Sequence, residues 1–485
     1  MRNIARCIAA GFVFLLAGCL VGPRYQRPAV TAPPLSRGQT AAESTSLGDL
    51  PWWEVFRDDT LRKLVKTAVA NNNDLRVAAQ RVEQARQYRV QTRSEYFPSI
   101  GYEAGISGGE NEFLGSPTGA VGERRGAVAI GIGAVWEADV WGRIRRLNEY
   151  SLANYLATEQ ARRGVLLSLT GGVARAYFEL LELYLRLEIA YRNVKSFEES
   201  LRIFQERLEA GTASRLDSTR AEAALAMTAA AIPELERRIA IQENEIRLLL
   251  GSAPGAIPRE GTLLEQTMPP EVPAGIPSQL LERRPDVLEA EMKVRAANAQ
   301  IGIATAAFFP KIGLTALFGR MSSPLEDFTS GRTMVLSGAA SATGPIWEGR
   351  SLRAQKRQAV AAWEETRIEY EQTVLAAFRD VSNALITREK LEGVRQRQME
   401  AVLAYQAAVE VSMQRYMAGK SGYFEVLEAQ QQLVPAENAL AQTELDRRLV
   451  IVQLYEALGG GWHLSDAEWN GQAGGTPAPD PRKNP

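Results

Sequence analysis

Residues 207–225 read RLEAGTASRLDSTRAEAAL, and residues 415–433 read RYMAGKSGYFEVLEAQQQL. Each phrase is a helix end, a glycine turn and a helix restart. The offset of 208 positions recurs at three places: Arg207 with Arg415, Gly211 with Gly419, and Gly251 with Gly459. A repeat of this length means two copies of one long hairpin rather than a string of independent domains. Working outward from the two turns recovers the rest of each copy.

Upstream of Gly211 the chain carries no proline from Gly142 to Ile232. Tyr177, Leu180, Tyr184, Leu187, Tyr191 and Val194 step by three and four, and Phe197, Leu201, Phe204 and Leu208 resume the rhythm after one slip. This predicts a coiled-coil-like helix of about 68 residues, roughly 100 Å long at 1.5 Å per residue. Downstream, a return helix runs to Leu250, with a kink or break predicted at Pro233. The second copy has a long helix to about Ala418, with Val374, Phe378, Val381 and Leu385 in its seam, and a return from Tyr423 to Leu458 kinked at Pro435.

Further upstream the period changes. Ile100, Tyr102, Ala104 and Ile106 alternate with small or polar residues after Pro98, and Val128, Ile130, Ile132, Ala134, Trp136, Ala138 and Val140 do the same. In copy two, Ile312, Leu314, Ala316 and Phe318, then Met334, Leu336, Ala340, Ala342 and Ile346, repeat the pattern. Apolar residues on one face with small or polar ones on the other suit a membrane β-strand. They also suit a soluble sandwich with one dry face. A helix over Asp59–Tyr96 precedes the first pair of strands, and one ending at Phe309 precedes the second. The return of copy one plus residues 281–308 nearly equals the long helix. By the same arithmetic the return of copy two is completed by the helix from Asp59. The expected closure is therefore circular, with the chain ends meeting.

Composition excludes several functions. The 485 residues carry a net charge of −1, so there is no basic surplus for nucleic acid. His463 is the sole histidine, no HExxH or glycine-rich phosphate loop occurs, and the 9 methionines do not cluster for a copper relay. No enzyme activity and no cofactor are expected. Apart from the run near the N-terminus, no stretch approaches the length of a membrane helix. Arg2 and Arg6 precede the apolar run Ile8–Leu16, the order of a secretory signal. Leu16-Ala17-Gly18-Cys19 resembles the bacterial lipobox, which implies cleavage before Cys19 and lipid on its sulfur and new amine. Leu rather than Asp at position 20 is compatible with the outer membrane. Cys7 leaves with the signal, so no disulfide framework exists.

Four strands cannot close a barrel, and lipid offers no hydrogen bonds to open edges. Two copies give a filled barrel, whereas three give one wide enough for a pore; the count favours a trimer. The phrases CLVGPRYQRP from Cys19, PWWEVFRDDTLRKLV from Pro51, GIPSQLLERRPDVLEAE from Gly275 and GPIWEGRSLRA from Gly344 resemble the lipoprotein (NodT-like) branch of the TolC-type outer-membrane factors. Arg24 departs from the acid expected in the first motif. The resemblance spans Cys19 to Trp462. It implies a mixed α and β membrane protein: a homotrimer with a 12-stranded outer-membrane β-barrel, four strands per chain, continuous with a long periplasmic α-helical barrel. Its implied partners are a periplasmic adaptor, an inner-membrane pump of the RND type, and outer-membrane lipid.

On this reading residues 1–18 are signal peptide and 19–58 an extended arm. Residues 59–270 form the first repeat with hairpin 98–141, and 271–462 the second with hairpin 310–347; 463–485 are a disordered tail. The resemblance assigns adaptor contact to Gly211, Thr212, Gly419 and Lys420, and a constriction to Phe424 and Glu428, one helical turn apart. Arg220 stands at the repeat position of Glu428 and is expected to latch it from a neighbouring hairpin. By themselves the glycines are equally helix caps, and Phe424 with Glu428 equally a buried ring beside a solvated acid. The function implied is a passive exit duct of a tripartite efflux system. Alternatives are the exit duct of type I protein secretion, on the same fold, and a periplasmic coiled-coil scaffold lipoprotein, for which membrane-patterned strands have no use.

Overall fold

The computed structural model describes residues 20–31, 33, 46–109, 125–266, 268, 277–322, 334–464 and 466–469. The signal segment, Cys19, much of the arm and the tail beyond Trp469 lie outside the described residues. The helices are α1 (Asp59–Asn71), α2 (Asn73–Ser94), α3 (Arg143–Glu209), α4 (Arg215–Ala229), α5 (Ala231–Leu249), α6 (Pro285–Ala306), α7 (Ser351–Met417) and α8 (Tyr423–Ala457). The strands are β1 (Ser99–Gly109), β2 (Arg125–Ala138), β3 (Lys311–Ser322) and β4 (Met334–Thr343). Short turns of helix occur at Trp52–Val55, Leu280–Arg283 and Asp466–Trp469.

Two compact units result, each drawing on both repeats. The first takes the described part of Met1–Pro28 with Val82–Thr158 and Ala290–Tyr370. Its sheet is antiparallel throughout, in the order β1-β2-β3-β4. The pairing register aligns Tyr102 with Ile132, Ile132 with Phe318, and Phe318 with Leu336. Side chains alternate with period two, so all four apolar sets share one face. That row is 54% to 86% exposed in the single chain. Gly101, Glu103, Gly131, Gly133, Gly313 and Thr315 lie on the other face. Trp141 stacks on Phe309 at 4.7 Å and donates Nε1–H to the Pro310 carbonyl at 2.8 Å, tying the end of one hairpin to the start of the next.

The arm is clamped to this unit. Fully buried Arg146 donates Nε–H to the Val21 carbonyl and Nη2–H to the Gly22 carbonyl, at 3.1 and 3.2 Å. Asn298 donates to the Pro23 carbonyl, and Arg27 pairs with buried Glu291 at 3.0 Å. A buried acid without such a partner would be costly.

The second unit takes Glu159–Glu289, Glu371–Pro485 and Ala29–Arg81 in their described parts. Here the structure corrects four expectations. The helix predicted over Asp59–Tyr96 breaks at Asn72, inside the run Asn71-Asn72-Asn73-Asp74, whose side chains compete for backbone bonds. The Asn72 carboxamide oxygen accepts from Leu75 N–H at 3.0 Å, and its nitrogen donates to the Leu249 carbonyl at 2.9 Å.

That second bond bears on the next correction. The return of copy one ends against α2, not against α6. The return of copy two ends against α6, where Arg284 donates to the Ala457 carbonyl at 3.2 Å while paired with Asp286 and Asp380. Each repeat therefore closes on itself. Helices α2 and α6 both have 22 residues, so length could not choose between them. Side chains at each helix start decide by satisfying carbonyls left open at a helix end. The chain ends still meet, by packing: Tyr455 donates to the Leu50 carbonyl at 3.2 Å, with the Phe56 ring 6.2 Å away.

The third correction concerns the seam of α3. Tyr177, Leu180, Phe197 and Phe204 are buried as predicted, but between them the buried positions include Ile189, Asn193 and Ser200 rather than Tyr184, Leu187, Tyr191 and Val194. Tyr191 is half exposed, bonded to Glu236. Polar Asn193 and Ser200 hide the stripe from an apolar count. They are buried because they meet polar groups of α8: Asn193 donates to Glu437 at 2.8 Å, and Gln430 to Ser200 at 2.9 Å. The fourth is compositional. One stretch of α3 is apolar enough to cross a membrane, yet 67% of it is buried within the protein. Of the two proline expectations, the return of copy one breaks at Ala230, ahead of Pro233, while α8 runs unbroken through Pro435.

Candidate functional site: the two hairpin turns

Both turns are built by the same backbone device. At the first, Gly211 has φ +74° and donates to the Leu208 carbonyl, while Thr212 N–H reaches back to the Arg207 carbonyl at 2.8 Å. At the second, Gly419 has φ +68° and donates to the Tyr416 carbonyl, and Lys420 N–H reaches the Arg415 carbonyl at 2.8 Å. This is the Schellman closure, which needs a left-handed residue and so favours glycine. Gly251 and Gly459 close their helices in the same way, at φ +64° and +69°. The surroundings separate the two pairs. A Cβ on Gly251 would lie 2.5 Å from the Asn71 carbonyl oxygen, and one on Gly459 2.9 Å from that of Arg283. A Cβ on Gly211 or Gly419 meets nothing within 4 Å among the described residues. Thr212 and Lys420 beside them are exposed.

Behind the turns lies a cluster of Phe197, Phe204, Ala221, Tyr416, Tyr423, Val426 and Leu427. Phe204 packs against Tyr416 at 5.0 Å and Tyr423 at 4.1 Å between ring centroids. Burial, with Asp217 nearby, pushes the Tyr423 hydroxyl up to about 12, and no partner for it is present among the described residues. Arg207 joins the two hairpins. Its Nη1 donates to the Tyr416 carbonyl at 3.0 Å and its Nη2 to the Met417 carbonyl at 2.9 Å. The guanidinium also sits 4.6 Å over the Tyr416 ring. A cation on the open carbonyls of a helix end is favourable in both charge and hydrogen bonding. In the sequence Arg207 is visible only as a repeat marker, an arginine that recurs as Arg415 before the second turn glycine.

The residues assigned to the constriction are placed as follows. Phe424 is 62% exposed, so the buried-ring alternative does not describe it. Phe424 and Arg220 line one cavity of about 720 Å³, together with Phe197, Ala224, Leu427 and Pro435. Glu428 is exposed and is not part of that lining. No ion pair joins Arg220 to Glu428 within the chain among the described residues. Nor does any group of three or more His, Cys, Asp or Glu able to hold a metal occur among them.

Comparison with known proteins gives this arrangement its family. A family model described as outer membrane efflux protein matches residues 64–252 and again 276–460. The chain is 37% identical to the solvent efflux pump outer membrane protein SrpC of Pseudomonas putida, over 93% of this chain and 97% of that protein. It is 32% identical to the cation efflux system protein CusC of Escherichia coli O6:H1, over 92% of this chain and 96% of that one. Among solved structures, the outer-membrane channel OprN superposes with a TM-score of 0.86 at 31% identity, covering 92% of this chain and all of that one. Matched in both repeats and along nearly the full length of these channels, the chain belongs to the outer membrane efflux protein family.

Proposed function

We propose that three copies of this chain form the passive exit duct of a tripartite efflux system, carrying small molecules across the periplasm and outer membrane. The observation that carries this reading is the sheet. Its apolar face is continuous over all four strands and exposed, and β1 and β4 are its edges. An apolar face of that extent needs a cover, and in lipid each edge needs a partner strand. Three sheets of four strands close as a barrel with the apolar face toward lipid and the glycine-rich face toward the lumen. The helical hairpins then extend into the periplasm.

At their turns Gly211, Thr212, Gly419 and Lys420 receive a periplasmic adaptor. The unobstructed space around both glycines supports close approach of a second backbone. The adaptor links the duct to an inner-membrane pump of the RND type, which supplies the energy. Three copies of Phe424 form an apolar constriction and three of Glu428 an acidic one that favours cations, with Arg220 of an adjoining hairpin as counter-charge. Cys19 carries the lipid. Leu20, the next residue, lies against Gly142, where β2 gives way to α3.

The test is reconstitution of the full-length protein. A trimer by native mass with cation-preferring conductance in planar bilayers supports the duct. A monomer without conductance would favour the scaffold. Crosslinking from Lys420, followed by recovery of the pump, separates drug efflux from type I secretion.

A further inference from the structure

The cavity that Phe424 and Arg220 line extends well beyond those two residues. Its volume of about 720 Å³ is that of a small-molecule site. Its floor is α3, through Ile189 and Phe197, and its walls are α4 with α5 on one side and α8 on the other. The space exists because one wall is largely alanine: Ala223, Ala224 and Ala231 stand there against Phe424 and Leu427 of α8. Met227 and Phe424, 77% and 62% exposed in the single chain, leave apolar surface bare inside it. Its lining runs from Arg220 to Arg238 along α4 and α5, a groove about 25 Å long at 1.5 Å per residue.

This apolar groove is also cationic. Arg186, Arg220 and Arg238 line it with a single acid, Glu234, whose charge is answered outside the lining by Arg237 at 2.7 Å. Neither Arg220 nor Arg238 has a hydrogen bond or ion pair among the described residues. Arg186 donates to the Asn438 amide oxygen at 3.2 Å and to buried Glu182 at 3.3 Å. The same Glu182 lies within Coulombic range of Arg238, so two guanidinium groups converge at the end of the groove far from the turns. Asp446, the other acid in range of Glu182, is outside the lining. The charge belongs to this groove and not to the hairpins in general. One repeat of 208 residues further on, Arg186, Arg220 and Arg238 become Val394, Glu428 and Asp446.

We propose that the groove binds a single-chain amphiphile with an anionic head, the head between Arg186 and Arg238 and the tail laid past Met227 toward Phe424. Paired guanidinium forks suit a carboxylate, sulfate or phosphate head through charge-assisted hydrogen bonds. The tail covers apolar surface that water would otherwise touch. A cationic head would meet like charge at the same place. Arg220, at the tail end, is left to the constriction. Every residue of the site belongs to one chain, so the site does not depend on the trimeric reading. On that reading it holds cargo of this class beside the constriction.

The test uses the full-length protein in phosphatidylcholine nanodiscs, with a dansyl-labelled undecanoate as fluorescent probe and empty nanodiscs as background. Saturable binding is expected, displaced by dodecyl sulfate and not by dodecyltrimethylammonium at the same concentration. Arg238→Gln should weaken the probe about tenfold, the loss of one charge-assisted bond. Ala231→Phe, which fills the path of the tail, should weaken it as well. No saturable binding above the empty discs, the result also expected if a second copy fills the groove, would overturn the site. So would equal displacement by the cationic amphiphile, or unchanged affinity in Arg238→Gln. A conducting trimer that does not bind the probe removes the site and leaves the duct. A non-conducting protein that binds it removes the duct and leaves the site.

Discussion

Replacing Arg207 by alanine removes a specific set of contacts. Two hydrogen bonds to the last carbonyls of α7 disappear, with the cation over the Tyr416 ring. The bond to Tyr416 is partly buried and the one to Met417 exposed. With a charged donor the first is worth about 1–1.5 kcal/mol and the second about half a kcal/mol. An exposed cation–π contact adds about 0.5 kcal/mol. The total, about 2 kcal/mol, corresponds to a change of roughly 30-fold in a local opening equilibrium. The assay is native-state amide hydrogen exchange. Gly419 and Lys420 N–H groups close the second turn, so residues 413–422 report on it. Exchange there should accelerate about 30-fold in Arg207→Ala, with α6 unchanged. Arg207→Lys, which has one nitrogen in place of the fork, should fall between. Exchange at the turn equal to that of the parent protein would refute the view that Arg207 holds the two hairpin ends together.

Gly211→Ala and Gly251→Ala both force alanine into a left-handed conformation, at roughly 1–2 kcal/mol. Only Gly251→Ala also drives a Cβ onto the Asn71 carbonyl, so its melting temperature should fall further, and the reverse order would contradict the packing. Glu428→Gln should reduce cation preference in bilayers; an unchanged reversal potential would remove Glu428 from the constriction. Glu456 has its pKa raised from 4.5 by burial, against the opposing charges of Arg175 and Arg284. A raised acid is fully tolerated below its unfolded pKa, and stability is lost as pH rises through the folded value. Glu456→Gln should therefore flatten the decline of thermal stability above pH 4.5, and a decline of unchanged slope would rule this out. Tyr423→Phe deletes a buried hydroxyl without a partner, so its stability should match or exceed that of the parent protein, and a loss above about 1 kcal/mol would expose a missed bond.

Much of the site is legible in sequence because its devices are local. A Schellman turn needs glycine at one position, so Gly211 and Gly419 stand out in a 208-residue repeat. The strands show themselves through period two, and the break before Pro233 through proline itself. Arg207 is a different case. Its own sequence neighbourhood is a helix end, and its acceptors are 209 and 210 residues away. The stripe through Asn193 and Ser200 is hidden for a related reason. A buried polar residue looks exposed until its partner, here Glu437 or Gln430, is known.

What the sequence determined by itself is therefore the set of elements, the duplication, and which side chains of each strand lie together, because backbone periodicity and turn chemistry act over a few residues. Tertiary structure decided the rest. It decided that strand register puts Tyr102, Ile132, Phe318 and Leu336 in one row. It also decided that α5 ends on α2 and α8 on α6. Two helices of equal length and similar pattern compete equally for such a place. The choice falls to single contacts across the fold, the Asn72 amide on the Leu249 carbonyl and the Arg284 guanidinium on the Ala457 carbonyl. Each satisfies a helix end that would otherwise keep an open acceptor away from water.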